Sequence, residues 1–352
     1  MNICGIICEY NPLHEGHLYQ LEQAKQLIKP DFTVALMSGS FVQRGSIAVF
    51  DKFARANAAL ESGFDACLEL PQAFSVQSAE YFALGSILAL DELGCTHVCF
   101  GSELETLEEI RAAVAEEKNL HEKMKAGLSY GQSLSCFEGQ PNAMLGRLYM
   151  TAIEKIGSDL IPVAVKRDEH YASATSLREK LLTGEMPAEM FPFDSVPLNF
   201  EKYFPIIKYK LMGMTEEELA GICGVGEGLE YKIKKEVYGA KSLDDLIQRS
   251  KSKRYPYTRI SRILCCVLLD LTKAKLRTLL ENVPKCRLLG IRKEKTELLS
   301  LLSNYYISPV DAARQDESTA LSSAINVRGT QLYSLYSDLT GEEDFTKGLI
   351  KV

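Results

Sequence analysis

The first 170 residues alternate short runs of apolar, often β-branched residues with segments in which apolar residues recur at three- and four-residue spacing. This alternation is typical of βα units that build a parallel sheet. Because the apolar runs are mostly continuous, we expect the strands to be covered on both faces. The predicted strands span residues 3–8, 32–37, 66–70, 97–100 and 161–166.

Helices are predicted between these strands, at residues 17–27, 51–62, 78–93 and 144–156. Gly63 and Gly94 directly follow two of these segments, in the position where glycine commonly ends a helix. The pattern therefore predicts a doubly wound α/β fold with a parallel sheet.

The pattern changes near residue 200, where helical periodicity continues with few strand candidates. A proline-rich joint that contains Pro187, Pro192 and Pro197 precedes the change. A chain of 352 residues is long enough for roughly two domains. We therefore expect an α/β domain over residues 1–195 and an α-helical domain over residues 196–352.

Composition excludes several classes of protein. With 46% apolar and 25% charged residues, the chain is neither disordered nor fibrous. Its longest apolar runs, residues 82–90 and 263–271, are far shorter than the roughly 18 residues that span a bilayer. The N-terminus lacks a basic segment and a cleavage pattern, so we expect a cytoplasmic protein. The ten cysteines form no C-x-x-C pair, which favours buried, reduced thiols over a zinc site.

The net charge of −7 conceals a division along the chain. Residues 1–200 carry 15 Lys and Arg against 27 Asp and Glu, a net charge of −12. Residues 201–300 carry 21 against 13, a net charge of +8, and residues 301–352 carry 4 against 7. The second part of the chain can therefore attract an anionic partner although the whole chain is acidic.

The first chemistry-bearing segment follows the first predicted strand and runs from Glu9 to His17. Ligands of α/β sheets bind at the carboxyl ends of strands and at helix N-termini. Here His14 and His17 flank Gly16, which lets a ligand approach the backbone, and imidazole N–H groups can donate to phosphate oxygens. Metal ligation by the two histidines and an ordinary surface loop are the alternatives.

The second segment follows the last predicted strand. It reads Lys-Arg-Asp-Glu-His at residues 166–170 and Ala-Ser-Ala-Thr-Ser-Leu-Arg at residues 172–178. Ser173 is a candidate N-cap, and Arg178 lies one turn beyond Thr175 on the same side of the predicted helix. Hydroxyls, amides and a guanidinium at one helix start can hold the β and γ phosphates of a nucleotide, although a plain helix cap would use the same residues.

A loop at residues 38–45 follows the second strand at the same sheet edge, and its Arg44 can attract a carboxylate, a phosphate or RNA unless the loop is only a connector. Lys52 and Arg55 on the next helix reach either the same cleft or solvent.

In the second domain, cations and tyrosines alternate, which suits phosphate neutralisation and base stacking in RNA. A solvated basic face is the alternative. These residues are Arg249, Lys251, Lys253, Arg254, Tyr255, Tyr257, Arg259 and Arg262.

Two of these patterns resemble a known superfamily. The sequence His14-x-Gly16-His17 resembles the H-x-G-H signature of nucleotidyltransferases with the Rossmann-like, HUP-type fold, and residues 172–178 resemble their I-S-S-T-x-x-R signature. Alanine replaces the isoleucine and the second serine of that signature, so Ser173, Thr175 and Arg178 remain for phosphate contacts.

A closer resemblance, to the bacterial tRNA(Met) cytidine acetate ligases, covers nearly the whole chain. It rests on the motifs at residues 5–17, 37–45, 100–103, 141–146 and 172–178 and on the basic stretch at residues 254–264. It implies an enzyme that activates acetate with ATP as acetyl adenylate and acetylates N4 of the wobble cytidine, position 34, of elongator tRNA(Met). The expected partners are ATP, acetate and this tRNA, with Mg²⁺ accompanying the nucleotide.

The resemblance also implies site residues. Catalysis is assigned to His14, His17 and Arg178. ATP contacts are assigned to Ile7, Cys8, Glu9, Tyr10, Asn11, Pro12, Leu13, His14, Glu15, Gly16, His17, Leu18, Tyr19, Gln20, Gly101, Asn142, Arg167, Asp168, Ser173 and Thr175. RNA contacts are assigned to Arg44, Lys253, Arg254, Tyr257, Arg259 and Arg262. No metal ligands, membrane or stable protein partner are assigned.

Two other functions stay open at the level of sequence. A small-molecule nucleotidyltransferase or acid-activating synthetase would use the same two histidines but would need no basic helical domain. An RNA-binding protein that keeps ATP as a structural or regulatory ligand would need the basic domain but not His14, His17 and Arg178.

Overall fold

The first strand, β1 (Ile3–Cys8), lies inside a mixed sheet and is paired on both sides. The computed structural model describes residues 1–115, 137–252 and 254–352. Within these residues the sheet has eight strands in the order β10-β8-β5-β2-β1-β6-β7, with β9 paired to β8. The other strands of its parallel part are β2 (Phe32–Ser38), β5 (Ala66–Leu70), β6 (His97–Ser102) and β7 (Ile161–Lys166).

The predicted parallel sheet is confirmed. Strands β1, β5 and β7 have the predicted bounds, while β2 and β6 extend one and two residues further. Every residue of β2 and β5 is buried, as expected for strands covered on both faces. Helices of this part are α1 (Glu15–Ile28), α2 (Lys52–Glu61), α3 (Gln72–Ser75), α4 (Ala79–Glu92), α5 (Leu107–Ala115), α6 (Pro141–Ile156) and α7 (Ala174–Leu182).

The topology creates a crevice beside β1. The chain leaves β1 for β2 on one side, whereas β6 pairs with the other side of β1. The loops that follow β1 and β6 therefore diverge at the carboxyl edge of the sheet, the usual ligand position in open α/β folds. A two-stranded hairpin, β3 (Phe41–Val42) and β4 (Ser46–Ile47), follows β2 at this edge.

Helices dominate residues 200–281, as predicted. They comprise a 3-10 helix at Phe200–Tyr203 and the helices α8 (Phe204–Gly213), α9 (Glu216–Gly221), α10 (Leu229–Gly239), α11 (Leu243–Ser250), α12 (Tyr257–Leu269) and α13 (Lys273–Glu281). Beyond them lie a 3-10 helix at Lys293–Ser300 and the helices α14 (Pro309–Ala312), α15 (Glu317–Ser334) and α16 (Glu343–Thr346).

The chain returns to the sheet after α13, which the sequence analysis did not predict. Strand β8 (Cys286–Ile291) pairs antiparallel with β5, and β9 (Tyr305–Tyr306) and β10 (Ile350–Lys351) pair parallel with β8. All six residues of β8 are buried. The expected α-helical domain over residues 196–352 thus also contains these three strands, which were not predicted because a short buried run such as Cys286–Ile291 does not distinguish a strand from part of a helix.

A buried ionic cluster joins this C-terminal segment to the sheet. Lys52 is 1% exposed and contacts the carboxylates of Glu69 and Asp344, each at 2.8 Å. Arg287 of β8 also pairs with Asp344. Burial lowers the pKa of Lys52 to about 8. Lys52 thus reaches neither the cleft nor solvent, the two places considered from the sequence.

Nine cysteines lie within the described residues, and all nine are free and buried, which confirms the expectation for them. Cys136 lies outside the described residues. Among the helices that the structure describes, none combines the length and the apolar character needed to cross a membrane.

Candidate active site

A cleft of about 1420 Å³ opens at the carboxyl edge of β1, β6 and β7 and continues along α12 and α13. This volume exceeds the 300–1,000 Å³ or so that is typical of a small-molecule pocket, which leaves room for a nucleotide and part of a second substrate. Most predicted site residues line it: Ile7, Cys8, Glu9, Tyr10, Asn11, His14, Gly16, His17, Tyr19, Gln20, Arg44, Gly101, Asn142, Arg167, Asp168, Ser173, Thr175, Arg178, Arg259 and Arg262.

Four residues of the predicted ATP segment do not line the cleft, namely Pro12, Leu13, Glu15 and Leu18. Leu13 is fully buried and Leu18 is 38% exposed outside the cleft. On a helix His17 and Gln20 share one face, whereas Leu18 is rotated away from it. The predicted ATP segment, residues 7–20, is continuous in the sequence, but the fold places only part of it on the cleft wall.

His14 and His17 form a pair at the start of α1. The Nδ1 atom of His14 accepts a hydrogen bond from the backbone N–H of Gly16 at 3.1 Å, and Nδ1 of His17 accepts from the backbone N–H of His14 at 3.3 Å. The two ring centroids lie 3.8 Å apart. His14 is therefore the N-cap of α1, and the two imidazoles cap the helix reciprocally.

This hydrogen bonding fixes the chemistry that each ring offers. A neutral imidazole whose Nδ1 accepts carries its proton on Nε2. Burial and the charges of Arg167 and Arg178 lower the pKa of His14 to about 4. Burial, His14 and Arg167 lower the pKa of His17 well below its usual 6.5. Both rings are therefore neutral near pH 7, and each has an Nε2–H group that can donate to a ligand.

The lowered pKa values predict a pH profile. Because the lowered pKa keeps both rings neutral, kcat/KM for the acetate-dependent adenylate formation that the sequence resemblance implies should show no titration from these histidines between about pH 5.5 and pH 8. Steady-state rates of pyrophosphate exchange across this range are the measurement. An acid limb centred at the ordinary histidine pKa, beyond the one that ionisation of ATP and pyrophosphate produces, would contradict the assignment.

Gly16 is required by the position of the His14 ring. A Cβ atom at residue 16 would lie 2.9 Å from Cε1 and 3.1 Å from Nδ1 of His14, and 3.3 Å from Cβ of Tyr171. The absence of a side chain at this position therefore lets the ring of His14 fold back over the first turn of α1.

Gly16→Ala should consequently lower adenylate formation by roughly tenfold, since a catalytic group displaced by a fraction of an ångström loses much of its effect. Gly213→Ala is a matched control, because a Cβ atom there would meet nothing within 4 Å. Pyrophosphate exchange measures the effect. Equal rates in both variants would show that the ring position at His14 is not critical.

Hydrogen bonds from neighbouring elements fix the loop between β1 and α1. The side-chain oxygen of Asn11 accepts from the backbone N–H of Val49 at 2.8 Å. Arg55 is fully buried and donates to the carbonyl oxygens of Glu9, Ser38 and Gly39. Arg55 is therefore a structural residue that ties the ends of β1 and β2 together, not a cleft or surface cation.

The second signature meets the first through Arg178. Its guanidinium donates to the carbonyl oxygen of Asn11 at 2.7 Å and to Oγ1 of Thr175 at 2.9 Å. Ser173 is the N-cap of α7, as predicted, and its Oγ accepts from the backbone N–H of Ser176 at 3.1 Å. The start of α7 thus faces the same cleft as the start of α1, which suits the binding of a polyanion between them.

The opposite wall follows β6 and β7. Asn142 lies in the first turn of α6, and Gly101 is the fifth residue of β6. A Cβ atom at Gly101 would meet only the Arg167 and Gln20 side chains, at 3.6 Å or more, so this part of the wall is open. Asp168 accepts hydrogen bonds from the backbone and ring of His170, which occupies one of its oxygen atoms.

Cations from the second part of the chain complete the cleft. Arg259 stacks on the Tyr255 ring, with its Cζ atom 4.9 Å from the ring centroid, and donates to the carbonyl oxygen of Gly224. Arg262 lies one turn further along α12, and Arg44 lies on the loop after β2. The structure therefore brings these three predicted RNA contacts to the same cavity as the histidine pair.

The loop that carries Arg44 is docked on α12. The Oγ atom of Ser261 donates to the carbonyl oxygen of Gly45, and Gly45 has a φ angle of +82°. A Cβ atom at Gly45 would lie 2.4 Å from the backbone nitrogen of Arg262. Glycine is therefore required here, both by the left-handed backbone and by the close approach of the helix.

The other predicted RNA contacts lie outside the cleft. Arg254 forms an ion pair with Glu227 at 2.5 Å and is half exposed. Tyr257 is 39% exposed and begins α12. Lys253 lies outside the described residues. A docking role for Arg254 and Tyr257 stays a prediction.

Several charged residues of the cleft were not selected from the sequence, among them Glu103, Lys273 and Arg277. Glu103 follows β6, and Lys273 and Arg277 lie on α13. The motif at residues 100–103 included Glu103, but a carboxylate beside a presumed phosphate site gave no reason to select it. The cations of α13 follow the basic cluster of residues 249–262 in the chain, on a separate helix, and the packing of α13 brings them to the cavity.

Within the described ranges, no group of three or more His, Cys, Asp or Glu side chains is arranged to hold a metal ion. The two imidazoles also use their Nδ1 atoms for backbone hydrogen bonds. The arrangement is therefore that of a site of hydrogen-bond donors for an anion, in which neutral imidazoles, helix N-termini and guanidinium groups converge.

Comparisons with known proteins agree with this geometry. The HIGH nucleotidyl transferase family model matches residues 1–347. The tRNA(Met) cytidine acetate ligase of Oceanobacillus iheyensis is 33% identical, with 95% of this chain and 94% of the relative covered. That of Latilactobacillus sakei is 35% identical, with 83% of each covered. The crystal structure of Thermotoga maritima TmcAL bound with alpha-thio ATP superimposes with a TM-score of 0.90 at 29% identity over the whole of both chains.

Proposed function

The chain belongs to the tRNA(Met) cytidine acetate ligase family, and we propose how its cleft carries out the two steps of that reaction. Family membership makes the chain an ATP-dependent ligase that acts on tRNA(Met). One observation supports a two-step reaction. The neutral imidazoles of His14 and His17 line the same cleft as the cationic wall of α12, which consists of Arg259 and Arg262.

In the first step, a carboxylate oxygen of acetate attacks the α-phosphorus of ATP, the bond to the β-phosphate breaks, and pyrophosphate leaves. This displacement needs positioning and stabilisation of charge more than covalent help from the protein. His14 and His17 would donate from Nε2 to oxygens of the reacting phosphate, and Arg178 would balance charge from the start of α7. Neutral imidazoles suit this role, because each carries its proton on Nε2 and can donate it in a hydrogen bond to a phosphate oxygen without a change of protonation state.

In the second step, the N4 amine of the wobble cytidine attacks the acetyl carbon of acetyl adenylate. The N4 proton is released and the bond to the phosphate oxygen breaks, so that AMP leaves and N4-acetylcytidine remains. We assign capture of elongator tRNA(Met) to residues 196–352 and the nucleotide chemistry to residues 1–195. Arg44, Arg259 and Arg262 would contact phosphates of the RNA beside the nucleotide.

Mg²⁺ would enter with ATP. Mg²⁺ is commonly held by substrate phosphates and only one or two protein carboxylates, so the absence of a three-residue metal cluster within the described residues fits this mode. The ion would supply screening of the triphosphate charge. The protein residues that we assign here bind and orient the nucleotide and the RNA.

One assay tests the proposal. The protein is incubated with ATP, labelled acetate and unmodified elongator tRNA(Met), and acid-stable label is sought in the RNA. Acetylated RNA is the expected result, and its absence would overturn the proposal. Pyrophosphate exchange driven by another acid would instead indicate a small-molecule synthetase, and RNA binding without any exchange would indicate a non-catalytic protein.

A further inference from the structure

The carboxylate of Glu103 accepts hydrogen bonds from the first turn of α6. One oxygen, Oε2, accepts from the backbone N–H groups of Asn142 at 3.1 Å and Ala143 at 2.8 Å. The other, Oε1, accepts from the side-chain Nδ2 of Asn142 at 2.6 Å. Glu103 therefore binds both the backbone and the side chain of one residue of the cleft wall.

These contacts determine which way the Asn142 amide points. An ionised carboxylate can only accept hydrogen bonds, so the amide must turn its NH₂ group toward Glu103. The Oδ1 atom accepts no hydrogen bond within the described residues, so it is the acceptor of this amide that can interact elsewhere, beside the second N–H of the NH₂ group. Asn142 and Gly101 both line the cleft, and Gly101 presents no side chain to it.

We propose that Glu103 is a positioning residue that presents Asn142 to the nucleotide as a hydrogen-bond acceptor and thereby sets a preference among nucleotides for one that offers a donor at this point. The matching donor is an N–H or O–H group of the nucleoside, either the N6 amine of adenine or a ribose hydroxyl. The inference rests on the proposed function for the identity of the nucleotide. It adds a selectivity determinant that touches no substrate atom itself.

A simple helix cap would bind only the backbone N–H groups of α6, whereas Glu103 also determines which end of the Asn142 amide faces it. Replacing Glu103 with glutamine keeps an oxygen for the backbone N–H groups of α6 but turns an NH₂ group toward Asn142. The Asn142 amide would then rotate to accept that hydrogen bond and would present its own NH₂ group to the cleft. The variant should therefore favour nucleotides that offer an acceptor where ATP offers a donor.

Calorimetric titration with ATP, inosine triphosphate, 2′-deoxy-ATP and 3′-deoxy-ATP tests this. The wild-type protein should bind ATP about tenfold more tightly than the analogue that lacks the contacted donor, as expected for one lost hydrogen bond that leaves a polar group unpaired. Discrimination against inosine triphosphate would identify the N6 amine as the donor, and discrimination against a deoxy analogue would identify a ribose hydroxyl. Glu103→Gln should remove or reverse that preference.

Asn142→Ala is the matched control for folding. It removes Oδ1 but leaves the backbone N–H groups capped by Glu103, so its melting temperature should stay close to that of the wild type while its preference among the nucleotides is lost. In the Glu103→Gln, Asn142→Ala double variant the Glu103 substitution should cause no further change in preference. A structural role alone would weaken the binding of all four nucleotides equally.

Two results would overturn the inference. One is equal binding of all four nucleotides by the wild-type protein, and the other is an unchanged order of preference in Glu103→Gln. Either result leaves the proposed function intact if the protein still acetylates tRNA(Met). Conversely, a protein that shows the predicted preference but acetylates no RNA would contradict the proposed function and would support the role of Glu103.

Discussion

His14→Ala should lower the rate of acetyl adenylate formation by roughly 10²–10³-fold, the usual consequence of removing one preorganised donor from a developing oxyanion. His17→Ala should have an effect of similar size. The expectation follows from the tautomer that the structure assigns, since each ring uses Nδ1 for the backbone and keeps its Nε2–H for the ligand. Affinity for tRNA should stay within about twofold, because the cationic wall on α12 is unchanged.

The N-cap role of His14 requires a separate control, because alanine removes the cap as well as the donor. Asparagine is among the best N-cap residues but lacks the imidazole, so His14→Asn should restore stability without restoring the rate. Acetate-dependent pyrophosphate exchange measures the first step, and filter binding of tRNA measures affinity. Normal adenylate formation in both alanine variants would refute the assignment of the histidine pair.

The parallel part of the fold was predictable because its signals are local. The strands of the α/β part are mostly apolar runs of five to seven residues that are separated by helical periodicity, and the central strands β2 and β5 are buried along their whole length. The histidine signature lies directly after β1, so its position at the sheet edge followed from one strand assignment. Ser173 could be identified as an N-cap from its hydroxyl and from the helix that follows.

Features that depend on distant contacts were not predictable in this way. Strand β8 is assigned by its pairing with β5, more than 200 residues earlier, and not by any pattern of its own. Lys52 looks like an ordinary surface lysine until Glu69 and Asp344 are brought around it by the folded chain. Arg277 contributes to the cleft only because α13 packs beside it.

The loop after β2 and helix α12 are packed closely against each other. The loop after β2 carries Arg44, and its Gly45 packs directly against the backbone of α12. A shift of α12 would therefore move Arg44 together with Arg262. The surface that we assign to RNA thus behaves as one unit, so its members should be tested together.

Neutralising Arg259, Arg262 and Arg277 to glutamine should weaken tRNA binding by roughly 10²-fold at low salt, with the difference shrinking as salt rises. The reason is counterion release, since each lost phosphate contact should reduce the magnitude of the slope of log K against log salt by roughly 0.7–0.9. Arg277 is exposed on the cleft wall, and no ion pair for it is found among the described residues.

A charge-matched control is the triple glutamine variant of Arg111, Arg292 and Arg314, none of which lines the cleft. Both variants lose three positive charges, so a general electrostatic effect would weaken both equally. We expect filter binding across a salt series to show a loss of slope only in the cleft variant, while its acetate-dependent pyrophosphate exchange persists. If both variants keep the wild-type slope, tRNA docks on a surface other than the α12 and α13 wall, and the histidine pair must receive the wobble cytidine from another direction.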